Sequence, residues 1–288
     1  MPVTDQTTPA AAQLSPEFDA ISRRLITARA NAEALAEFPG QLPATLAEAY
    51  AVQSASIARW PDTIAGWKVG GIPEAFQTTL GAERLSGPIF EPSVVPVTPG
   101  ALHTMPIYSG GFAALEAEFI LRLGTTVTPA QRQWSDEELL SLVAALHVGA
   151  EIASSPMADV NRLGPTCVVC DFGNNAGLLV GPEVANWSRQ PLESLGVSVI
   201  VDDVNVGAAN AGVIDGGPLQ ALRFLLGLCA ERQLALTEGT FVSCGAVTGI
   251  HEITTSAKAV VDFGSHGVFD VAFESMTPRQ LSGAPAAT

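Results

Sequence analysis

The ten residues Ala114–Leu123 constrain this chain more than any other stretch. Positions 115, 117, 119, 121 and 123 are Leu, Ala, Phe, Leu and Leu, whereas 116, 118, 120 and 122 are Glu, Glu, Ile and Arg. A period of two is the signature of a strand with one wholly apolar face. On that strand Glu116 and Glu118 point the same way, with Cα atoms roughly 6–7 Å apart at about 3.3 Å rise per residue. On a helix, residues i and i+2 diverge, and the pair would not meet. Two acids on one face repel unless a positive group stands between them, and a divalent cation is the simplest. The plain alternative is a solvated outer face carrying two ordinary surface glutamates.

Around this strand there is ample material for a core: 288 residues, 47% of them apolar. The formal charge of −15, with 14 basic residues and no basic run, argues against a nucleic-acid partner. Four cysteines do not make a disulfide framework in a chain of this size. The opening residues Met1–Gln6 have neither a basic segment nor an apolar run, and no apolar stretch approaches the length of a membrane span. The expected setting is cytoplasmic, with no membrane partner.

Residues 1–15 read as a disordered tail and 16–85 as an N-terminal helical region. Residues 86–274 read as a β-rich catalytic domain and 275–288 as a second flexible tail. Ser15-Pro16-Glu17 supplies a cap, a proline at the first helical position and an early acid, so a helix is expected from there, fading before Pro39-Gly40. A second is expected over Thr45–Arg59. In Gly66-Trp67-Lys68-Val69-Gly70, an extended chain places Lys68 between two glycines, where another group can approach closely. The competing reading is a snorkelling surface lysine beside a turn. Ser86–Phe90 reads as a turn entering a short strand.

Ser135 and Glu138 form a capping box opening a helix expected to reach about Leu146. From His147 the alternation returns, with His147, Gly149, Glu151 and Ala153 on one face. Glu151 is thus a second acid on an otherwise apolar strand, costly to bury without a counter-ion. Cys167-Val168-Val169-Cys170 has the spacing of a redox pair or half a zinc site, but it lacks a second pair and its apolar filler reads as a buried strand. Asp171, Asn174 and Asn175 would then lie in a loop at its end, either facing a site or serving as turn chemistry. Val197–Val201 and Val204–Val206 suggest a hairpin turning at Asp202-Asp203, and Asp215-Gly216-Gly217-Pro218 introduces a helix with Cys229 on its core face. Phe241–Gly249 reads as a strand running into a glycine turn, followed by two final strands. The order lacks regular βαβ alternation, phosphate-binding glycine motifs and a nucleophile elbow, and the histidines at 103, 147, 251 and 266 have no zinc spacing.

The ordered set Gly66-Trp67-Lys68-Val69-Gly70, Glu116-x-Glu118, Glu151-Ile152, Asp171–Gly177, Gly217-Pro218-Leu219 and Cys244-Gly245-Ala246 resembles the 2-keto-4-pentenoate hydratase group of the fumarylacetoacetate hydrolase superfamily. The likeness runs from about Ala49 to Phe273. It implies an α+β fold, N-terminal helices followed by a mixed β-roll, in a homo-oligomer. It also implies Mg²⁺ or Mn²⁺ held by Glu116, Glu118 and Glu151, with Lys68 as a catalytic group and Asp171 as a second. Ser86, His147, Asn174 and Cys244 are expected to bind the substrate. The implied reaction adds water to a 2-hydroxy-2,4-dienoate, a 2-oxo acid in its enol form. Decarboxylation of an oxalocrotonate, acylpyruvate C–C hydrolysis or a silent partner subunit on the same scaffold are the alternatives. Two departures stand out: Ala153-Ser154-Ser155 replaces an Asp-Ser-Arg, and Cys244 replaces a Thr or Ser. Near a cation, Lys68 is expected to have a lowered pKa.

Overall fold

The computed structural model describes residues 14–131 and 133–281. The tail expected over 1–15 therefore lies outside the described residues up to position 13, as do residues 282–288. Helix α1 (Pro16–Asn31) starts where Ser15 accepts the Phe18 amide and ends at a left-handed Ala32, earlier than expected. Helix α2 (Leu46–Arg59) opens with a full capping box between Thr45 and Glu48. Then come β1 (Ile64–Gly71), α3 (Glu74–Leu80), β2 (Arg84–Phe90), β3 (Val94–Pro96), β4 (Leu102–Ile107) and the acidic strand β5 (Phe112–Leu123).

Helix α4 (Asp136–Leu142) keeps the Ser135–Glu138 capping box but stops short of the expected Leu146. The reason is tertiary. The free side of β5 offers a ladder to Val143–Ser155, which becomes β6, and Val143 already pairs with Leu123. Helices α5 (Val160–Leu163) and α6 (Pro165–Cys170) follow. The expected strand at Cys167–Cys170 is thus a buried helix, started by Pro165 at its first position after Gly164. Short apolar runs do not distinguish the two by pattern. The rest is β7 (Asn175–Glu183), β8 (Gly196–Val201), β9 (Val204–Asn210), α7 (Gly217–Glu231), β10 (Phe241–Ser243), β11 (His251–Glu252), β12 (Lys258–Asp262) and β13 (Val268–Ser275). The expected hairpin is β8–β9, turning through Asp202 and Asp203 at positive φ.

Two mixed sheets result, the α+β fold with a curled β-roll that the sequence suggested. One runs β2-β1-β10-β5-β6-β7-β3, with β11 also on β5; the other runs β4-β13-β12-β8-β9. The pairs β1/β10, β3/β7 and β4/β13 are parallel. Since β1 is flanked by β2 and β10 within the large sheet, the boundary expected at residue 86 passes through the sheet. Beyond β13, Met276 N donates to Ile107 O and Arg279 N to Ala30 O, and Arg279 pairs with Asp62. The first part of the expected C-terminal tail is therefore held against α1.

The two faces of β5 explain where the site sits. Leu115, Ala117, Phe119, Leu121 and Leu123 join the main core, which includes Val199, Val261 and Phe269 of the small sheet and Leu222 and Leu225 of α7. On the other face, Ala114 packs with the α1–α2–α6 layer and Ile120 with Ile89 and Leu178. Glu116 and Glu118 lie between these two apolar patches.

Candidate metal centre and cleft

Strand register brings the three acids together. Antiparallel pairing sets Glu116 opposite Glu151 and Glu118 opposite Gly149. A carboxylate oxygen from each of Glu116, Glu118 and Glu151 lies within 4.8 Å of the others. Their burial, 5%, 0% and 0% exposed, removes the solvated-face reading. Gly149 lets Ile120 and β7 close on β6 beside the acids: a Cβ there would meet Ile120 and the Leu179 carbonyl at 2.3 Å.

Lys68 of β1 completes the cluster. Its Nζ lies 3.3 Å from Glu151 Oε2 and 3.3 Å from Asn174 Oδ1. A Cβ at Gly70, on the same face of β1, would lie 3.7 Å from Lys68 Cε and Nζ, an ordinary contact, whereas at Gly66 it would meet the Phe241 carbonyl at 2.7 Å, so the close approach at Gly66 is that of β10. Burial works against the charge on Lys68, but Glu151, Glu116 and Glu118 outweigh it and raise its pKa. The lowered pKa expected of Lys68 is therefore not what its carboxylate neighbours produce. Burial lifts Glu116 to about 7, with Lys68 opposing and Glu151 adding to the rise. Glu118 is also raised well above the ordinary carboxylate value, by burial first and then by Glu151 and Glu116.

The hydrogen-bond pattern around the acids tests what they suit. Glu118 Oε2 accepts from Ser243 Oγ at 2.5 Å and from Gly245 N at 2.9 Å, and Glu151 Oε1 accepts from Asn175 Nδ2 at 2.9 Å. The remaining oxygens, Glu118 Oε1 and Glu151 Oε2, are buried and accept no hydrogen bond. The 3.3 Å contact with Lys68 is a charge contact whose geometry falls short of a hydrogen bond. Three carboxylates and one ammonium leave a formal charge of minus two. Unmatched hard oxygens of that charge fit a divalent cation such as Mg²⁺ or Mn²⁺.

The centre opens into a cleft of about 590 Å³. Lys68, Glu116, Asn174 and Cys244 line it, so four of the expected residues meet there. Glu118 and Glu151 sit with Glu116 in the acidic cluster, and the other three, Ser86, His147 and Asp171, do not reach the cleft. Ser86 Oγ is spent on the Lys68 carbonyl at 2.7 Å, inside the β1–β2 pair. His147 shares a face with Glu151 but lies four residues along, roughly 13 Å away, with Nδ1 on the Gly181 carbonyl at 3.0 Å. Asp171 is buried and engaged by Arg29 of α1, whose Nε and Nη2 lie 2.6 and 2.9 Å from its two oxygens. Asp171 thus ties its loop to α1 and does not face the cleft.

Arg29, Ser243 and Asn161 are residues the sequence did not single out for roles, and Asn175, read only as part of a polar loop, turns out to hold Glu151. Asn161 accepts from Asn174 Nδ2 at 3.3 Å. Arg29 also donates to the carbonyls of Asp171, Asn175 and Ser154 at 2.9, 2.9 and 3.1 Å. It fastens the Asp171–Asn175 loop to the end of β6, with Tyr108 and Phe172 rings against its guanidinium. Only the unusual placing of an arginine on the apolar side of an amphipathic helix hinted at this.

No family model matches the sequence, and no curated protein sequence matches it. Solved structures do match the fold. A 4-oxalocrotonate decarboxylase from Pseudomonas putida G7, complexed with magnesium and adipate, aligns with 91% of this chain and 99% of its own, at a TM-score of 0.74 and 22% identity. A fumarylpyruvate hydrolase from Pseudomonas aeruginosa, in complex with Mn²⁺ and pyruvate, aligns with 75% of this chain and 91% of its own, at 0.53 and 16%. A 2-hydroxyhepta-2,4-diene-1,7-dioate isomerase from Mycobacterium marinum aligns with 74% and 77%, at 0.51 and 10%. At these identities the likeness establishes a shared fold.

Proposed function

We propose that this chain is a divalent-metal-dependent enzyme of 2-oxo acids, which hydrates a 2-hydroxy-2,4-dienoate to a 4-hydroxy-2-oxo acid. The observation that carries this reading is the trio of buried carboxylates, two with oxygens that accept no hydrogen bond, beside a buried lysine at an open cleft. The ordered sequence resemblance supports the hydratase, and fold neighbours bound to Mg²⁺ or Mn²⁺ support the metal.

Glu116, Glu118 and Glu151 would hold Mg²⁺ or Mn²⁺, which when bound supplies Lewis acidity at the 2-oxo group and charge to balance the enolate. The protein's own groups do the rest. Ser243 Oγ and Gly245 N fix the rotamer of Glu118, and Asn175 Nδ2 fixes that of Glu151. Lys68, held protonated by its carboxylate neighbours, has Nζ placed to donate to the substrate's carboxylate or enolate oxygen. Asn174 Oδ1 orients that ammonium group. Hydration then leaves the hydroxyl of water on carbon 4 and one new hydrogen on each of carbons 3 and 5, balanced by the remaining proton of water and the proton given up by the enol. A homo-oligomer belongs to the same proposal, checked by light scattering.

Decarboxylation is the second reading, favoured by the 0.74 TM-score of the P. putida decarboxylase over nearly its whole length. Freshly generated dienols and oxalocrotonates, followed spectrophotometrically with added Mg²⁺ or Mn²⁺, separate the two. The expected result is metal-dependent loss of dienol absorbance without carbon dioxide. Carbon dioxide released in step with turnover would move the assignment to the decarboxylase, and no metal-dependent turnover on either class would sink both.

A further inference from the structure

A second cavity, of about 1140 Å³, opens between α2, α3 and α7. It shares Gln77, Glu83 and Arg84 with the cleft, but none of Lys68, Glu116, Glu118 and Glu151 lines it. Leu46, Leu80, Phe224 and Leu228 give it apolar walls, and Arg84 and Arg232 stand among them. Arg223 also lines it but is spent on Asp136, Gln220 and the Trp134 carbonyl. The space is roomy enough for a small organic ligand.

Arg232 follows the last residue of α7 and lies over the Tyr50 and Trp67 rings, 4.6 and 5.5 Å from their centroids. Its Nη1 donates to Gln53 Oε1 at 3.0 Å and its Nη2 to Ser54 Oγ at 3.1 Å. These contacts, with the negative end of the α7 dipole, explain why a cation sits there. They do not neutralise it: every partner is uncharged, and Arg232 forms no ion pair among the described residues. Burial accordingly pulls its pKa down, against smaller raising effects of Tyr50 and Cys229. The Arg84 side chain is 13% exposed; its Nη2 donates to the Asp215 carbonyl at 2.6 Å and lies 3.9 Å from the Asp215 carboxylate, itself 90% exposed. Each guanidinium carries five N–H donors. Nε of Arg232, and Nε and Nη1 of Arg84, have no acceptor among the described residues, and none of the three is sealed from solvent. Glu83 and Glu231, the cavity's own acids, are exposed and bond to neither arginine. In a chain with 29 acidic and 14 basic residues carboxylates are abundant, so donors left open in one apolar-walled cavity point to an anion from outside.

We propose that this α2–α7 cavity binds a small amphiphilic oxyanion, its carboxylate or phosphate head at Arg232 with Arg84 adding charge, and its aliphatic body against Leu46, Phe224 and Leu228. The site is separate from the metal centre, and the inference does not rest on the reading of that centre.

Calorimetric titration of the full chain with hexanoate, hexyl phosphate and hexanol, once with a chelator and once with Mn²⁺, tests it. The two anions share a tail, so the tighter of them identifies the head group, and hexanol carries the tail without the charge. The expectation is that at least one anion binds equally well with and without Mn²⁺, and about tenfold or more tighter than hexanol, the scale of a charge-assisted hydrogen bond. Arg232→Gln is expected to remove that advantage and Arg84→Gln to reduce it, whereas Glu231→Gln, which takes a negative charge out of the cavity, keeps or strengthens binding. Should Arg232→Gln fail to fold, the opposite responses of Arg84→Gln and Glu231→Gln decide the matter. Hexanol binding as tightly as both anions, or anion binding that survives both arginine substitutions, overturns the proposal. So does the absence of anion binding, or binding seen only with Mn²⁺, which would place the anions at the metal centre.

Discussion

Glu118 has no exposed surface, and one of its oxygens accepts two hydrogen bonds while the other accepts none. Burying such a group is unfavourable until a cation arrives, so replacing it with an isosteric amide separates stability from binding. Glu118→Gln is expected to keep or raise the melting temperature of the cation-free protein, because its amide oxygen still accepts from Ser243 and Gly245. It is expected to weaken Mn²⁺ binding by about 100-fold or more and to abolish turnover; calorimetry with added Mn²⁺ checks the first and the dienol assay the second. Lys68→Met is expected to lower kcat by roughly two orders of magnitude, the range of a positioned proton donor, with less effect on Mn²⁺ affinity. A wild-type kcat would take Lys68 out of the mechanism. At this scale strand alternation showed that Glu116 and Glu118 share a face, and the ordered resemblance pointed to Glu151 and Lys68 as their companions. Ser86 and His147 were misread because alternation says nothing about which hydrogen bond a hydroxyl or imidazole makes.

The element that decides the site's geometry is the loop 171–175. It passes Phe172, Gly173 and Asn174 through positive φ in succession, a path that costs about 1–3 kcal/mol for each non-glycine residue and persists only when its surroundings fix it. Arg29 does much of the fixing from α1, and Gly87 lets the loop lie against β2, since a Cβ at 87 would fall 2.1 Å from the Phe172 carbonyl. Arg29→Met strands Asp171 as a buried charge and is expected to cost about 3–5 kcal/mol in urea unfolding. Adding Asp171→Leu should restore much of that loss; a double variant as unstable as the single would show that the pair is not the cause. Gly87→Ala is expected to lower stability and to weaken substrate binding together, as the loop carrying Asn174 is pushed off Lys68; an unchanged melting curve would contradict the close packing. None of this was legible beforehand. The sequence marked the loop as polar, but the partner 142 residues away in α1 is a product of the fold.

For the molecule as a whole, the acids couple folding to pH and to cations. In the cation-free protein Glu116 has a folded pKa of about 7, raised above its unfolded value. The stability it contributes is whole below about 4.5 and is lost as pH rises through 7, as ionised carboxylates crowd together. A bound cation stabilises the ionised forms, so the rise in melting temperature on adding Mn²⁺ should be largest at pH 8 and shrink towards pH 5, where protons compete. At a hundredfold excess over Kd the stabilisation is about 2.7 kcal/mol. Differential scanning calorimetry with and without Mn²⁺ measures it, and a shift independent of pH would show that the titrating acids are not the ligands.

Alternation in Ala114–Leu123 and His147–Ala153, caps at Ser15, Thr45 and Ser135, and turn chemistry at Asp202-Asp203 were written locally, because backbone periodicity and capping depend on near neighbours. Those signals aligned Glu116 with Glu118 and set Glu151 and Lys68 on definite strand faces, but that the faces point inward came only as an implication of the family resemblance. Which acid lies opposite which, where α4 yields to β6, and what Asp171 pairs with depended on strand register and on α1 packing over the site. Such contacts join residues far apart along the chain, and they are settled only by the free energy of the assembled core.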